Sequence, residues 1–517
     1  MATDLLAQIA ARVPDKLALI EDRPGQPALQ WSFAELNASV NVLANALRAD
    51  GVGPHAKVVW CGMNSFGVVR MMNAARKLRA TAVPLNYRLT PDEAAFVVDD
   101  CDAELVWVDA ESAALLCEVR PRTPKVRRIV VYGGPAPAGT TPADDFLAGA
   151  DDREPASEPS QGPAATMIYT SGTTGKPKGA LRRGTGDPEQ VRRLIGHIGY
   201  VPDDVYLTTG PLYHSGPGGF MSVSQSLSNT VVLQRRFDPE DWLRLVDRYR
   251  VSTTFSAPTP IRMVCNLPEA VRRPYDVSSM RRMIANAAPW SYALKELYLG
   301  FFPEDSLFEV YGSTELGVDT VLRPEDQRRK PGSCGRAAPG VEIALFDEEG
   351  RRVEKPHAPG ELFVRSASVF DTYYKNHEKF EADRRDGWQT VGDVAYFDEE
   401  GFYYICDRKK DMIISGGMNI YPAEIEAALE HHPAVLDVAV FGIPSEEWGE
   451  SVHAVVVPQP GASLVEGDVI DFARKHLAGY KVPRSISFLD ELPRTGSGKI
   501  LKRTLREPFW KDRTSRV

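Results

Sequence analysis

From its N-terminal part to Tyr132 the chain alternates two hydrophobic periods, and no other feature narrows its fold as much. The stretch "WSFAELNASVNVLANALRADG" carries Leu36, Val40, Leu43 and Leu47 at the spacing of a helix with one buried face. Ser32 and Glu35 stand at capping-box spacing before it, and Gly51 suits its end. "KVVWCG" then reads as a strand, "SFGVVRMMNAARKLRA" as a helix, "TAVPLN" as a strand, "TPDEAAFVVDDC" as a helix, and "AELVWVD" and "VRRIVVYGG" as strands. Strands that alternate with helices predict a layered α/β sheet covered by helices.

With 517 residues the chain is too long for one core, and several α/β subdomains are expected. Residues 133–163, rich in Pro, Gly, Ser and Asp, read as surface loop, and "ATMIYT" after them as a short buried strand. "DVYLTTG", "SNTVVLQ" and "VSTTFSA" continue the strand pattern. After Gly340 the texture changes: "VEIALFDEEG", "GELFVRS" and "GFYYICDR" predict short antiparallel strands. Beyond Lys410, "PAEIEAALEHHP", "VLDVAVFGIP", "ESVHAVVVPQPG" and a helix over 466–477 form an α/β set long enough for a separate domain. The polar "CDRKKD" before it reads as a hinge, which places domains at 1–409 and 411–517 with Lys410 between them.

Composition excludes several functions. A net charge of −9 argues against a nucleic-acid polymer as partner. The six cysteines (Cys61, Cys101, Cys117, Cys265, Cys334 and Cys406) are scattered without a CxxC pair, which fits a reducing, cytoplasmic setting. "MATDLLAQIAARVPDK" has neither a long apolar core nor a basic leader, so no signal peptide is expected. No apolar run is long enough to span a bilayer; peripheral membrane contact stays open. The histidines, including His431 and His432, form no metal-ligand pattern, and no HExxH or Ser–His–Asp signature appears.

"YTSGTTGKPKGA", Tyr169 to Ala180, follows the strand "ATMIYT". Gly172 and Gly175 permit backbone angles that other residues resist. Ser171, Thr173 and Thr174 supply hydroxyls, and Lys176 and Lys178 supply charge. The residues alone allow two readings: a surface turn, or a loop whose N–H groups wrap phosphate oxygens. The common G-x-x-x-x-G-K-[ST] loop is not present. "TGSGKI" leaves a similar choice for Lys499, an ordinary surface cation or one presented between Gly496 and Gly498. "GWQTVGD" can be merely a turn, and His214 a satisfied strand-end histidine.

Taken in order, the motifs resemble those of the adenylate-forming superfamily of acyl-CoA synthetases, adenylation domains and luciferases, over almost the whole chain. "YTSGTTGKPKG" resembles its phosphate loop, "PLYHSGP" its acyl-site motif, "YGSTE" its nucleotide motif and "GWQTVGD" its ribose-binding segment. "DRKKDMIISGGMNIYPAEIE" resembles the hinge and thiolation face, and "PRTGSGKI" the motif of the catalytic lysine. The resemblance implies ATP, Mg²⁺ and coenzyme A as cofactors. A carboxylate would attack the α-phosphorus of ATP, pyrophosphate would leave, and the thiol of coenzyme A would take the acyl group from the adenylate.

The same resemblance implies roles for residues. Thr170, Ser171, Gly172, Thr173, Thr174, Gly175, Lys176 and Lys178 would close over the β and γ phosphates. Thr314 would donate to the α-phosphate, and Glu315 would ligate Mg²⁺, a hard cation suited to oxygen ligands. Tyr311, Gly312 and Ser313 would lie along the nucleotide, with Tyr311 near the adenine. Asn286, Ala287, Ala288 and Pro289 would pass the base; the family often has a glycine-rich version there. Asp393 would accept the ribose hydroxyls, as a two-oxygen acceptor suits a diol, and Arg408 would help. Lys499 would orient carboxylate and α-phosphate. Lys410 would be the hinge of two domain poses, the second bringing Ser415, Gly416 and Gly417 to the pantetheine tunnel.

Tyr213, His214, Gly216, Pro217, Gly218 and Gly219 would line the acyl pocket, with His214 orienting the substrate. Small and apolar residues there suit an apolar acyl body. No acidic group for a substrate amine precedes them, which disfavours an amino acid. Arg182 and Arg183 replace the Thr/Ser–His pair common after the phosphate loop; they would aid phosphate or CoA binding, or face water. Asp319 is the one acid in the later pocket segment. A medium- or long-chain fatty acid is the first expectation, with bulky alicyclic, sterol-derived or aryl acids as alternatives. Transfer of the acyl group to a carrier protein, a luciferase, or a non-catalytic nucleotide-binding protein are further alternatives. A homodimer is possible, as dimers are frequent in the family.

Overall fold

Four sheets organise the chain. The structure, a computed structural model, describes residues 4–156, 164–170, 177–183, 188–288, 290–416, 418–494 and 500–511. The alternating N-terminal elements build an eight-stranded sheet in the order Thr372–Tyr373, Lys178–Arg183, Ala165–Thr170, Thr81–Leu85, Lys57–Cys61, Leu105–Asp109, Arg128–Tyr132, Thr141–Pro142. Its strands are parallel from Ala165–Thr170 onward, as crossover helices require. Phe33–Ala49 forms the helix expected after the capping box: Ser32 Oγ accepts from the Glu35 amide at 3.2 Å, and Glu35 Oε2 accepts from the Ser32 amide at 2.7 Å.

A nine-stranded sheet follows, built around the parallel set Thr230–Leu233, Val205–Thr208, Thr253–Ser256, Arg282–Ala285 and Leu307–Ser313. The largest apolar core joins the two sheets. It takes Phe33 and Leu36 from the capped helix, Val58 and Trp60 from the first sheet, and Tyr206, Val231 and Phe255 from the second. Each sheet buries its outer face under its own helices. A smaller antiparallel sheet of Glu342–Phe346, Gly360–Arg365, Trp388–Phe397 and Tyr403–Arg408 completes the large N-terminal domain, in the region where the sequence predicts short antiparallel strands.

The third sheet ends at Arg408 and the fourth begins with Ile413–Ser415. That fourth sheet pairs Val435–Ser445 with Gly449–Pro458 and packs Ile425, Val440, Val456 and Val469 into its own core. The chain is thus a mixed α/β protein with a large N-terminal and a smaller C-terminal domain. Among the described residues no helix is long and apolar enough to cross a membrane. All six cysteines are free thiols.

Two local readings are corrected. Residues 133–163 are not all loop, since Thr141–Pro142 pairs in parallel with Val130–Val131 and leads into the helix Ala143–Leu147. A proline is tolerated there because the strand is the sheet edge. "ATMIYT" is not uniformly buried: Ala165 and Met167 face the core, while Thr166 and Ile168 turn to the cleft described below. The two-residue alternation of a strand produces both faces.

Two local features carry stability predictions. Ala287 holds φ at +72°, a left-handed angle that a β-carbon resists. Glycine removes that resistance but adds chain entropy when unfolded, so Ala287→Gly should stabilise by roughly 0.5–1 kcal/mol, read as a higher denaturant midpoint; an unchanged or lower midpoint refutes the strain. Asp319 is fully buried, and among the described residues neither carboxyl oxygen has a hydrogen-bond partner. Burial, then the nearby Asp393 charge, push its pKa well above the ordinary value, against a smaller opposite pull from Arg182. The folded state therefore holds a proton that the unfolded chain releases near pH 4. Stability from this group is complete at lower pH and falls as pH rises toward the folded pKa. Asp319→Asn should flatten the decline in denaturation midpoint from pH 4 to pH 7; an unchanged slope would refute the assignment.

Candidate active site

The parallel strands of the second sheet all end on the same side, and the residues just past their ends form a cleft. Thr209 to Leu212 follow Val205–Thr208, Ala257 follows Thr253–Ser256, Asn286 to Ala288 follow Arg282–Ala285, and Thr314 and Glu315 follow Leu307–Ser313. Crevices outside the carboxyl ends of parallel strands are the usual ligand sites of open α/β sheets. Thr170 and Lys178 bring the rim of the first sheet to the same cleft, and Asp393 and Arg408 that of the third.

Glu315 sits deep in this cleft at 8% exposure. Its Oε1 accepts from the Thr170 hydroxyl at 3.1 Å and from the Tyr373 hydroxyl at 3.0 Å, and its backbone carbonyl accepts from the Phe370 amide at 2.7 Å. Among the described residues it makes no ion pair, and its Oε2 accepts no hydrogen bond. A buried carboxylate with one oxygen aimed and the other open fits a hard divalent cation such as Mg²⁺. No group of three acidic, His or Cys side chains able to cage a metal occurs among the described residues. That suits an ion held largely by substrate phosphates and water. Thr314 Oγ1 lies 2.9 Å from Ser215 Oγ, so its hydroxyl is oriented across the cleft. Gly312 is required by the hairpin: a β-carbon would lie 1.9 Å from the Gly317 carbonyl oxygen.

Asp393 is fixed from two sides. The Tyr311 hydroxyl donates to Oδ2 at 2.6 Å, and Arg408 Nε lies 3.2 Å from Oδ1. Burial, then Asp393 itself, hold the Tyr311 hydroxyl far above its usual pKa, so it stays a neutral donor. Burial opposes the Arg408 cation, but Asp393 and Tyr311 outweigh it and raise its pKa. Arg408 is therefore a permanent cation beside the carboxylate. The Asn286 side chain donates to the Val310 carbonyl at 2.5 Å, and its own carbonyl accepts from the Ala287 amide. These bonds hold the left-handed turn at Ala287, where the resembled family often has glycine.

The acyl side forms around the helix Ser215–Ser226, with His214 as its N-cap residue. His214, Gly216, Pro217, Gly218 and Gly219 line the cleft, and the Phe220, Phe255 and Tyr200 rings stack beside them. Phe220 and Phe255 are 5.3 Å apart at 22°, and Tyr200 and Phe220 6.5 Å at 9°. Gly216 admits that stack, because a β-carbon would lie 2.3 Å from the Phe255 ring. Tyr213 corrects an expectation. It is 4% exposed and absent from the cleft wall, its ring edge-on to Tyr87 at 5.5 Å. His214 lines the cleft, whereas Tyr213 is buried beside it, its ring tilted against the His214 ring at 4.4 Å.

Lys410 lies at the cleft edge. Ser415 and Gly416 do not line the cleft; they sit in the hairpin Ile413–Ser415/Met418–Ile420 of the small domain. Ser171, Gly172, Thr173, Thr174, Gly175, Lys176, Pro289, Gly417 and Lys499 lie outside the described residues. Arg494 and Ile500, which flank the segment of Lys499, both line the cleft. Sequence reading missed Tyr373: "DTYYKN" holds no sign that the first of its tyrosines reaches Glu315, 58 residues earlier in the chain. It left Arg182 open and set Asp319 aside; the latter is buried behind the cleft wall.

Residues 6–374 match the family described as AMP-binding enzyme, and residues 424–499 match its C-terminal domain. Indoleacetate–CoA ligase of Aromatoleum aromaticum is 36% identical over 495 residues, covering 94% of this chain and 95% of the relative. Long-chain-fatty-acid–CoA ligase FadD13 of Mycobacterium tuberculosis is 31% identical, covering 93% of each. The crystal structure of o-succinylbenzoate CoA synthetase from Bacillus subtilis, in complex with its acyl-adenylate intermediate, superposes with a TM-score of 0.83. It is 29% identical over 98% of both chains. The chain belongs to the AMP-binding enzyme family, and with it to the adenylate-forming enzymes that its motif order resembles.

Proposed function

We propose that the protein is an AMP-forming acid–CoA ligase that activates an apolar carboxylic acid as its acyl adenylate and passes the acyl group to coenzyme A. The observation that carries this reading is one cleft that holds both Asp393, clamped by Tyr311 and Arg408, and Glu315, aimed by Thr170 and Tyr373. Asp393 would accept the ribose hydroxyls of ATP, with Asn286 to Pro289 along the base and Ser171 to Lys178 over the phosphates. Glu315 would hold Mg²⁺, which supplies positive charge to the phosphate oxygens as pyrophosphate departs. Thr314 would donate to the α-phosphate, and His214 would orient the carboxylate, which needs no base at neutral pH.

Lys499 would complete the adenylation site from the small domain; the cleft-lining positions of Arg494 and Ile500 on either side of its segment support this. A turn about Lys410 would exchange it for Ser415 to Gly417 beside the thiol. A positioned cation at developing oxyanions contributes on the order of a hundredfold in rate. Lys499→Ala should therefore cut acyl-adenylate formation by about two orders of magnitude, while thioester formation from supplied acyl adenylate largely survives. Equal loss of both half-reactions would refute the two-pose assignment.

The finer reading is a ring-bearing acid, aryl or alicyclic. The stacked Phe220 and Phe255 line the acyl space, with the buried Tyr200 ring stacked behind Phe220, and flat rings gain offset-stacking energy against them that a flexible chain does not. The indoleacetate ligase relative supports the same choice. A medium- or long-chain fatty acid is the second reading, supported by the fatty-acid ligase relative and by the apolar strip of Trp60, Pro84, Ile168 and Val223 along the cleft. A panel of aryl, alicyclic and C8–C16 acids with ATP, Mg²⁺ and coenzyme A, read by thioester mass and AMP release, separates them. The expected outcome is kcat/KM about tenfold or more higher for the ring acids, the scale of one or two kcal/mol of extra contact. A preference for straight chains would overturn the finer reading alone. AMP release without coenzyme A dependence would overturn the acceptor.

A further inference from the structure

Arg182 has no part in the roles above, yet it lies between the three segments that build the Glu315 site. It stands on Lys178–Arg183, the strand that leaves the phosphate loop, two strand repeats after Lys178, so both side chains project from one face. Both line the cleft. One terminal nitrogen of its guanidinium donates to the Thr314 carbonyl at 2.6 Å, and the other donates to the Ser368 carbonyl. Ser368 precedes Phe370, whose amide donates to the Glu315 carbonyl, and Tyr373, whose hydroxyl aims the Glu315 carboxylate. Arg182 makes no ion pair among the described residues. Its two charge-assisted bonds go to backbone oxygens of two segments, Thr314 beside Glu315 and Ser368 at the head of the segment that holds Glu315. A side chain that simply faces water, one of the alternatives left by the sequence, does not describe this geometry.

We propose that Arg182 is a positioning residue that clamps the Thr314–Glu315 turn to the phosphate-loop strand and thereby sets the Mg²⁺-binding carboxylate; this rests on the reading of Glu315 given above. The guanidinium suits the task because its planar fork spans two carbonyl acceptors at once, which an ammonium on a flexible stem does not. The clamp couples three pieces far apart in sequence. Without it, the turn keeps the Thr170, Phe370 and Tyr373 bonds and its indirect link through the Thr372–Tyr373 strand, but loses its direct tie to the strand that carries Lys178. A carboxylate displaced by a fraction of an ångström binds a small, geometrically demanding cation less well.

The test needs neither the acid nor coenzyme A. Calorimetric titration of the full-length protein with ATP, with and without Mg²⁺, gives the factor by which Mg²⁺ tightens ATP binding. Arg182→Lys keeps the charge and loses the fork, and Arg182→Ala loses both. In each, that factor should fall about tenfold or more, while ATP binding without Mg²⁺ and the melting temperature stay near the parent's. A separate readout, pyrophosphate exchange with an accepted acid, should show a raised Mg²⁺ requirement, with thioester formation from supplied acyl adenylate within about threefold of the parent. An unchanged Mg²⁺ factor in Arg182→Lys overturns the proposal, as does a loss of ATP binding equal with and without Mg²⁺. If Arg182→Ala does not fold, Arg182→Lys decides; failure of both to fold makes Arg182 a folding residue and also overturns it. A parent that binds Mg²⁺–ATP but exchanges pyrophosphate with no acid would refute the ligase reading and leave the clamp standing.

Discussion

Everything in the cleft depends on the packing of two parallel-cored sheets across one apolar core. Parallel strands need crossover helices, and those helices need an apolar surface on each face of the sheet. Here the two sheets share theirs: Phe33, Leu36, Trp60, Tyr206, Val231 and Phe255 meet in a single cluster. Sharing a core sets the strand ends of one sheet beside the rim of the other. Glu315 at the end of Leu307–Ser313 consequently meets Thr170, the last residue of Ala165–Thr170. Neither sheet alone contains the site.

Polar groups in the cleft are held by partners from different segments, and each partner stays in one charge state. Tyr311 is too deeply buried beside Asp393 to ionise, so it donates at any physiological pH. Arg408 keeps its charge because Asp393 and Tyr311 outweigh the cost of burial. Arg182 gives up ion pairing for two backbone carbonyls, although burial lowers its pKa. Such arrangements pre-orient oxygens and donors before a ligand arrives, which is how electrostatic catalysis avoids reorganisation during reaction. Asp319 is the exception: a carboxyl without a hydrogen-bond partner among the described residues, kept neutral by burial and by Asp393.

Legibility in the sequence followed locality. The helix Phe33–Ala49 was readable because its cap and apolar stripe lie within one short window. The strands Lys57–Cys61 and Leu105–Asp109 were readable as apolar runs between turn residues. Thr141–Pro142 was not, because a two-residue edge strand in a Pro- and Gly-rich stretch has no period to detect. Motif order pointed to Glu315 and Asp393. It did not point to Tyr373 or to the clamp of Arg182, since both act over 58 and 132 residues of chain onto one turn. Tyr213 and His214 are neighbours in one motif with their rings in contact, and only the tertiary packing decides that His214 lines the cleft while Tyr213 is buried against Tyr87.

The sequence by itself determined the layered α/β class, the order of the motifs and the residue types able to meet phosphate, ribose and a hard cation. These are properties of short windows, where period, capping and side-chain chemistry are written directly. Tertiary structure alone decided which oxygen of Glu315 is aimed and which is open, that Tyr311 and Arg408 share Asp393, and that the Arg182 guanidinium grips two backbone carbonyls. Those outcomes depend on distances between segments that only the common core brings within hydrogen-bonding reach.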